Sequence, residues 1–247
     1  MIFLFKKKEL HLDVFTYRPE VLEYYPVDYA SKFYPEWWKK LPKEYEEEGK
    51  FWPTSTMKRC VGFTDYYRNG IVVPLWSDLA IKTHPLSFNW QFSDRKTQIH
   101  VHPYEQMQGY LDPNQYSHAK IVTPWALVCK EDVNFVWTQP TWNFERVSDI
   151  IIPPAVVNYK HNSGTNINVF FDKREEKKFI IPAGQPMVNI IPATERRLVI
   201  HKHLVDEPEF LKKSISSYGS TFVNKYRNNK SITESNESRC PFGFGSK

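Results

Sequence analysis

Ile71-Val-Val-Pro-Leu75, Leu79-Ala-Ile-Lys82, Leu86-Ser-Phe-Asn-Trp-Gln-Phe92 and Thr97-Gln-Ile-His-Val-His102 decide the fold class. Each is a short run of β-branched and aromatic side chains, closed by Pro, Ser or Asp before the next begins. The rhythm continues through Lys120–Cys129, Asn134–Thr138, Ile150–Ile152, Ala155–Tyr159, Asn166–Phe171, Phe179–Ile181, Pro186–Ile191 and Arg197–Val205. Prolines 74, 85, 103, 124, 140, 153, 154, 182, 186 and 192 fall at the edges and corners of these runs, where a missing N–H costs least. The pattern predicts a mainly-β chain, a sandwich, jelly roll or small barrel rather than a parallel sheet.

Working outward, Ile2–Phe5 and Leu10–Tyr17 read as strands, the second alternating Leu10, Leu12 and Val14 with polar neighbours. Residues 26–69 change character and predict a short aromatic helical insertion. Val27–Tyr34 stops at Pro35, Glu36–Lys40 stops before Pro42, and an acidic segment follows to Gly49. Thr56–Asn69 reads as one helix capped by Ser55 or Thr56 and ended by Gly70. Asp206 toward Tyr226 predicts a C-terminal helix, with Phe210, Leu211, Ile215, Tyr218 and Phe222 at helical spacing. Residues 1–227 are expected to form one mainly-β domain, and 228–247 a polar, flexible tail.

A chain of 247 residues buries a sizeable core without disulfide staples, and 16% aromatic content excludes global disorder. Glycine is scarce, at 9, and proline frequent, at 18, which fits rigid strand connections better than a glycine-rich nucleotide-binding fold. The net charge of +5 is interspersed along the chain, with Lys6–Lys8, Lys39-Lys40 and Lys212-Lys213 set against Glu46–Glu48, so nucleic acid is a disfavoured partner. Cys60, Cys129 and Cys240 are far apart with no C-x-x-C spacing, which points to a reducing compartment. Ile2–Phe5 is too short for the core of a signal peptide, and no run approaches transmembrane length; no membrane partner and no export are expected. With no export, the sequons at Asn229 and Asn236 are coincidental.

The glycine-loop, nucleophile-elbow and H-E-x-x-H signatures are missing. The chemistry that remains is histidine. His100-Val-His102 with Glu105 and Gln106, and His201-Lys-His203, each place two imidazoles on one strand face, and facing strands would assemble an iron, zinc or manganese site from them. The competing reading makes these ordinary half-buried strand residues, with Ile99 and Val101 on the buried face. His11-Leu-Asp13 has the H-x-D form used by non-haem iron oxygenases. All eight tryptophans precede residue 143. Trp37 and Trp38 cannot both face one core, because helical neighbours diverge by about 100°. With Trp125 they are candidate ligand-binding rings, against the alternative that they plug the edge of the sheet.

Phe33-Tyr-Pro-Glu-Trp-Trp-Lys-Lys-Leu-Pro, Thr56-Met-Lys-Arg-Cys-Val-Gly-Phe, Gly70-Ile-Val-Val-Pro-Leu-Trp-Ser-Asp, Thr123-Pro-Trp-Ala, Ile181-Pro-Ala-Gly-Gln-Pro and Cys240-Pro-Phe-Gly-Phe together resemble a protein family common in marine tailed-bacteriophage genomes. The resemblance implies a viral origin, in the cytoplasm of an infected host cell or in the virion, and carries no activity. Phe179-Ile-Ile-Pro-Ala-Gly184-Gln-Pro-Met-Val-Asn-Ile-Ile is similar in outline to the β-clip of trimeric dUTPases, but the phosphate-holding and water-activating segments of that family are missing, so topology at most is shared. The expectation is a non-catalytic binding or structural protein with a protein or small-molecule partner, open to homo-oligomerisation and with no cofactor. The alternative is a cupin-like or oxygenase-like metal enzyme built on His100, His102, Glu105, His201 and His203. A third reading has a nucleotide or sugar held between tryptophans.

Overall fold

A computed structural model describes residues 9–106, 109–145, 149–214 and 230–231. Leu10, Leu12, Val14 and Thr16 are buried on strand β1 (Leu10–Thr16), while His11, Asp13 and Phe15 alternate onto the other face. The same two-residue period recurs in β6 (Leu79–His84) and β11 (Asn134–Thr138). Between them run α1 (Pro19–Tyr24), β2 (Asp28–Tyr29), α2 (Glu36–Lys40), β3 (Glu44–Tyr45), β4 (Thr54–Ser55), α3 (Val61–Arg68), β5 (Ile71–Pro74), β7 (Ser87–Phe92), β8 (Ile99–Val101), β9 (Tyr116–Ile121) and β10 (Ala126–Val128). β12 (Ile150–Ile151), β13 (Ala155–Asn158), β14 (Ile167–Asp172), β15 (Lys177–Ile181), β16 (Pro186–Pro192), β17 (Leu198–Leu204) and α4 (Glu207–Ser214) follow.

The strands form sheets ordered β10-β1-β17, β13-β11-β16-β5-β2, β12-β14-β9-β8 and β15-β6-β7, with β3-β4 a separate hairpin. All four larger sheets send side chains into one sandwich-like core, from Leu12 and Phe135 to Ile121, Val169 and Ile190. The mainly-β prediction therefore holds, and most of the predicted runs after Gly70 form strands. Among the described residues pairing is antiparallel except for one ladder, β1 beside β17, which runs parallel in continuous register from Leu10 opposite Leu198 to Thr16 opposite Leu204.

Several expectations need correction. Lys120–Cys129 is two strands: the chain leaves β9 at Ile121, turns through Val122-Thr-Pro-Trp and enters a different sheet as β10, with Thr123 Oγ1 bonded to Thr165 Oγ1 at the crossing. Thr56–Asn69 is not one helix. Thr56 caps a 3-10 turn over Met57–Arg59, and extended Cys60 restarts the chain as α3, its Sγ accepting from Phe63 N. Asp28–Tyr29 pairs with β5 instead of starting a helix, and the acidic segment forms the β3–β4 hairpin, where Gly49 takes φ +81°. Val101 is exposed, not buried. Ile2–Phe5, the helix beyond Ser214 and nearly all of 228–247, with Cys240, lie outside the described residues; Cys60 and Cys129 are free thiols.

β16 lies between β11 and β5 and is buried along most of its length on both faces, so its sheet needs a second cover. The insertion supplies it. Val72 packs with Ala30, Phe63 and Tyr67, and Asn189 Nδ2 donates to Tyr66 O at 3.0 Å. The approach is closest at Gly70, where a Cβ would stand 2.5 Å from Asn189 Oδ1 and 3.0 Å from Ile190 O. Gly70→Ala is therefore expected to cost about 1–3 kcal/mol through forced separation of insertion and sheet. Urea unfolding should show a lower midpoint, and a wild-type midpoint would count against this packing.

Candidate functional site

The aromatic layer grows out of α2. Pro35 precedes its first turn, Lys39 and Lys40 occupy its last, and consecutive tryptophans diverge as a helix requires. Trp38 turns inward, stacked on Tyr34 at 4.3 Å and Phe63 at 5.4 Å between ring centroids, with Nε1 donating to Met57 O. Lys58 Nζ lies 3.9 Å over its ring and donates to the carbonyls of Trp38 and Lys39, tying the 3-10 turn to α2. Trp37 turns outward. It is 42% exposed, packs at 6.1 Å against Trp142, itself 46% exposed, and donates from Nε1 to Trp142 O at 3.0 Å. Phe63 meets both rings edge-on from below.

Behind this shelf, burial raises the Tyr67 phenol far above its ordinary value, reinforced by the neighbouring Tyr66 and Tyr34. Tyr67 thus stays a donor, to Asn143 Oδ1 at 2.6 Å, and Asn143 donates in turn to Phe33 O, which fixes the segment that carries Trp142. The β3–β4 hairpin of the same insertion exposes Phe51 at 99% and Trp52 at 83% beside Glu46–Glu48. Sequence reasoning missed these two and Trp142, although Lys50-Phe-Trp-Pro53 between two turn signals could have marked them. Trp125 is corrected: at 2% exposure it belongs to the central core and is no ligand platform.

The histidines divide between two places. His100 is exposed on β8 opposite Lys120, and Glu105 is exposed on the 3-10 turn Tyr104–Gln106. His102 stacks on His118 of β9 at 4.7 Å, and His118 on Phe170 of β14 at 4.6 Å, along the wall of a cavity of about 180 Å³. Neither ring nitrogen of His118, nor Nε2 of His102, has a well-aligned hydrogen-bond partner among the described residues. Burial therefore lowers both imidazole pKa values, helped at His102 by Lys120 and at His118 by His102, while Gln106 and Asn168 lie beside the rings and oppose the shift. His201 and His203 stand in another sheet, on β17, beside His11 and Asp13 of β1. The expected ligand set of His100, His102, Glu105, His201 and His203 is thus split between two sheets. Among the described residues no group of three or more His, Cys, Asp or Glu side chains is placed to hold a metal ion.

A cavity of about 410 Å³ opens beside Arg18, Trp76 and Asp94. The Arg18 guanidinium donates to Glu20, Asp94 and Thr97, and Thr97 also accepts from Trp76 Nε1 at 2.7 Å. Burial alone would raise the Asp94 carboxyl, but hydrogen bonds from Thr97 and the charge of Arg18 hold it below the usual range. This is a closed ionic clamp between the end of β1 and the loop before β8. No protein family matches the sequence, and no curated protein is similar to it.

The depressed imidazoles set a pH window. The unfolded chain takes up protons near the ordinary histidine value of 6.5, which His102 and His118 resist when folded. Their contribution to stability is present above that value and is lost as pH falls from it toward the folded values. Carboxylates such as Asp172, held by Arg174 down to about 2, act in a more acid range. His118→Phe, which keeps a ring against Phe170, should reduce the loss of urea stability between pH 7 and pH 5. An unchanged pH slope would remove these two rings from the account.

Proposed function

We propose that the chain is a non-catalytic binding protein that engages a partner protein through the exposed aromatic side of the 26–69 insertion. The observation that carries this reading is the concentration of solvent-facing Phe51, Trp52, Trp37 and Trp142 on and against one insertion; of the remaining tryptophans only Trp90, on β7, is exposed, at 37%. Trp and Tyr anchors dominate binding energies where they can be desolvated against a partner, and exposing several of them has no benefit to a lone folded chain. The shelf is also rigid: Trp37 and Trp142 are held by a hydrogen bond and by Phe63, so little ordering entropy is lost on docking. Glu46–Glu48 beside Phe51 and Trp52 favour a partner surface that is apolar with a basic rim, and they disfavour nucleic acid.

The resemblance to marine tailed-phage proteins supports a setting in the infected cell or the virion. Among the described residues no helix is long and apolar enough to cross a membrane.

Phe51→Ser/Trp52→Ser, at fully exposed positions, should leave the urea midpoint within about 0.5 kcal/mol of wild type. The untagged-equivalent test is recovery of one stoichiometric partner, cross-linked in infected-cell extract, by the wild-type chain and not by this variant. Sedimentation of the pure protein checks whether the partner is a second copy. Equal recovery by both chains would sink the reading, as would a purified protein with turnover unaffected by the change.

A further inference from the structure

The parallel ladder of β1 and β17 places four chemistry-bearing side chains on one face of the sheet. His11 and Asp13 alternate outward on β1, and His201 and His203 outward on β17, with Asp13 directly opposite His201. His11 and His201 are exposed, their ring planes 17° apart, and His11 Nδ1 lies 2.9 Å from His201 Nε2. On the next rung His203 Nε2 lies 2.8 Å from Asp13 Oδ1, and Phe15 stacks on the His203 ring at 4.7 Å. Two neutral imidazoles in such contact share one proton, so one ring donates and the other offers its lone pair.

We propose that His11 and His201 form a solvent-open binding site for a divalent first-row transition ion, nickel or copper in preference to zinc. An ion with bonds of about 2.05 Å to imidazole nitrogen holds two ligands at right angles about 2.9 Å apart, and two tetrahedral ligands about 3.3 Å apart. The observed 2.9 Å is a head-on hydrogen-bond spacing between nearly coplanar rings, so it places both nitrogens within reach of one ion once the rings turn, and the preference for copper and nickel rests on the affinity order of imidazole sites. Binding replaces the shared proton and needs only rotation about χ2, a broad torsion in histidine, at two exposed side chains. The donors are two nitrogens, and the remaining positions go to water, so the bound ion exchanges. Asp13 is the positioning group: its carboxylate holds His203 beside the site and adds negative charge directly opposite His201.

This site is independent of the aromatic insertion, and its test is separate. Untagged full-length protein, stripped with chelator and desalted, is titrated with Ni2+ by calorimetry, and its Cu2+ complex is examined by electron paramagnetic resonance. The expected result is one equivalent of Ni2+ per chain and a copper spectrum split by two imidazole nitrogens. His11→Ala and His201→Ala should each weaken Ni2+ binding by more than about tenfold with far-ultraviolet circular dichroism unchanged, and Asp13→Asn by about tenfold. His100→Ala and His118→Phe, which alter the other histidine sites, should bind as wild type. No binding by the wild-type chain, wild-type affinity in both His11→Ala and His201→Ala, loss in either control, or a spectrum with fewer than two nitrogens would each overturn the assignment.

Discussion

Burial of β16 on both faces is the constraint on which the rest of the molecule depends. A strand whose two faces are apolar cannot sit at the surface of a two-layer sandwich, because one face would stay in water at about 25 cal/mol for every Å² of apolar area. The insertion of residues 26–69 answers that need. Ala30, Phe63, Tyr67 and Val72 make a second, smaller core on the outer side of the sheet, and Asn189, the polar residue buried in β16, reaches it through Tyr66 O. Close approach at Gly70 and the stacked rings of Tyr34, Trp38 and Phe63 follow from the same contact. The cover is aromatic because few residues must fill a wide area, and large flat rings bury the most surface per residue.

The sheet pattern was legible in the sequence because strand alternation is local. β1, β6 and β11 each state their buried face in their own residues, and nearly every predicted run has its strand. Failures arise where a tertiary contact overrides the local signal. Val122-Thr-Pro-Trp looks like the middle of one long strand, yet Thr123 and Thr165 pin it as a corner between sheets. Thr56–Asn69 has helical composition throughout, but Lys58 is held by the carbonyls of α2, and Cys60 must extend to let α3 lie on the sheet. Trp125 could not be told from an exposed tryptophan, since composition does not say which ring the core claims.

The candidate sites were half legible for a related reason. Divergence of Trp37 and Trp38 follows from helix geometry alone, and the structure obeys it. The histidine pairs were recognised as pairs, but partners on the facing strands were beyond reach of spacing: His11 and His201 are separated by 190 residues and meet only because the first described strand lies parallel to the last. The same pairing separates His201 and His203 from His100 and His102, which lie in another sheet where His102 finds His118. Sequence could name imidazoles as the reactive residue type. Only strand order could say which imidazoles share a site.

The distribution of charge bears on function as much as the rings do. A catalytic cleft keeps an ionisable group in energetic tension, desolvated and aimed at a reacting atom. In the cavity beside Trp76 Arg18 has three acceptors, and Asp94 has Thr97 and Arg18, so the charges there neutralise one another. Asp172 with Arg174 and Lys177, and Asp28 with Lys32 and Lys202, are closed in the same way elsewhere. Removing one partner from such a set leaves a buried charge uncompensated, which makes these groups costly to use in chemistry and valuable as anchors. Two groups facing solvent stand outside these closed sets: aromatic rings on and against the insertion, and the exposed imidazoles of His11 and His201 on the β1–β17 ladder, which among the described residues bond only to each other. They lie on different elements and draw on different physics, so a chain with this fold can lose one without losing the other.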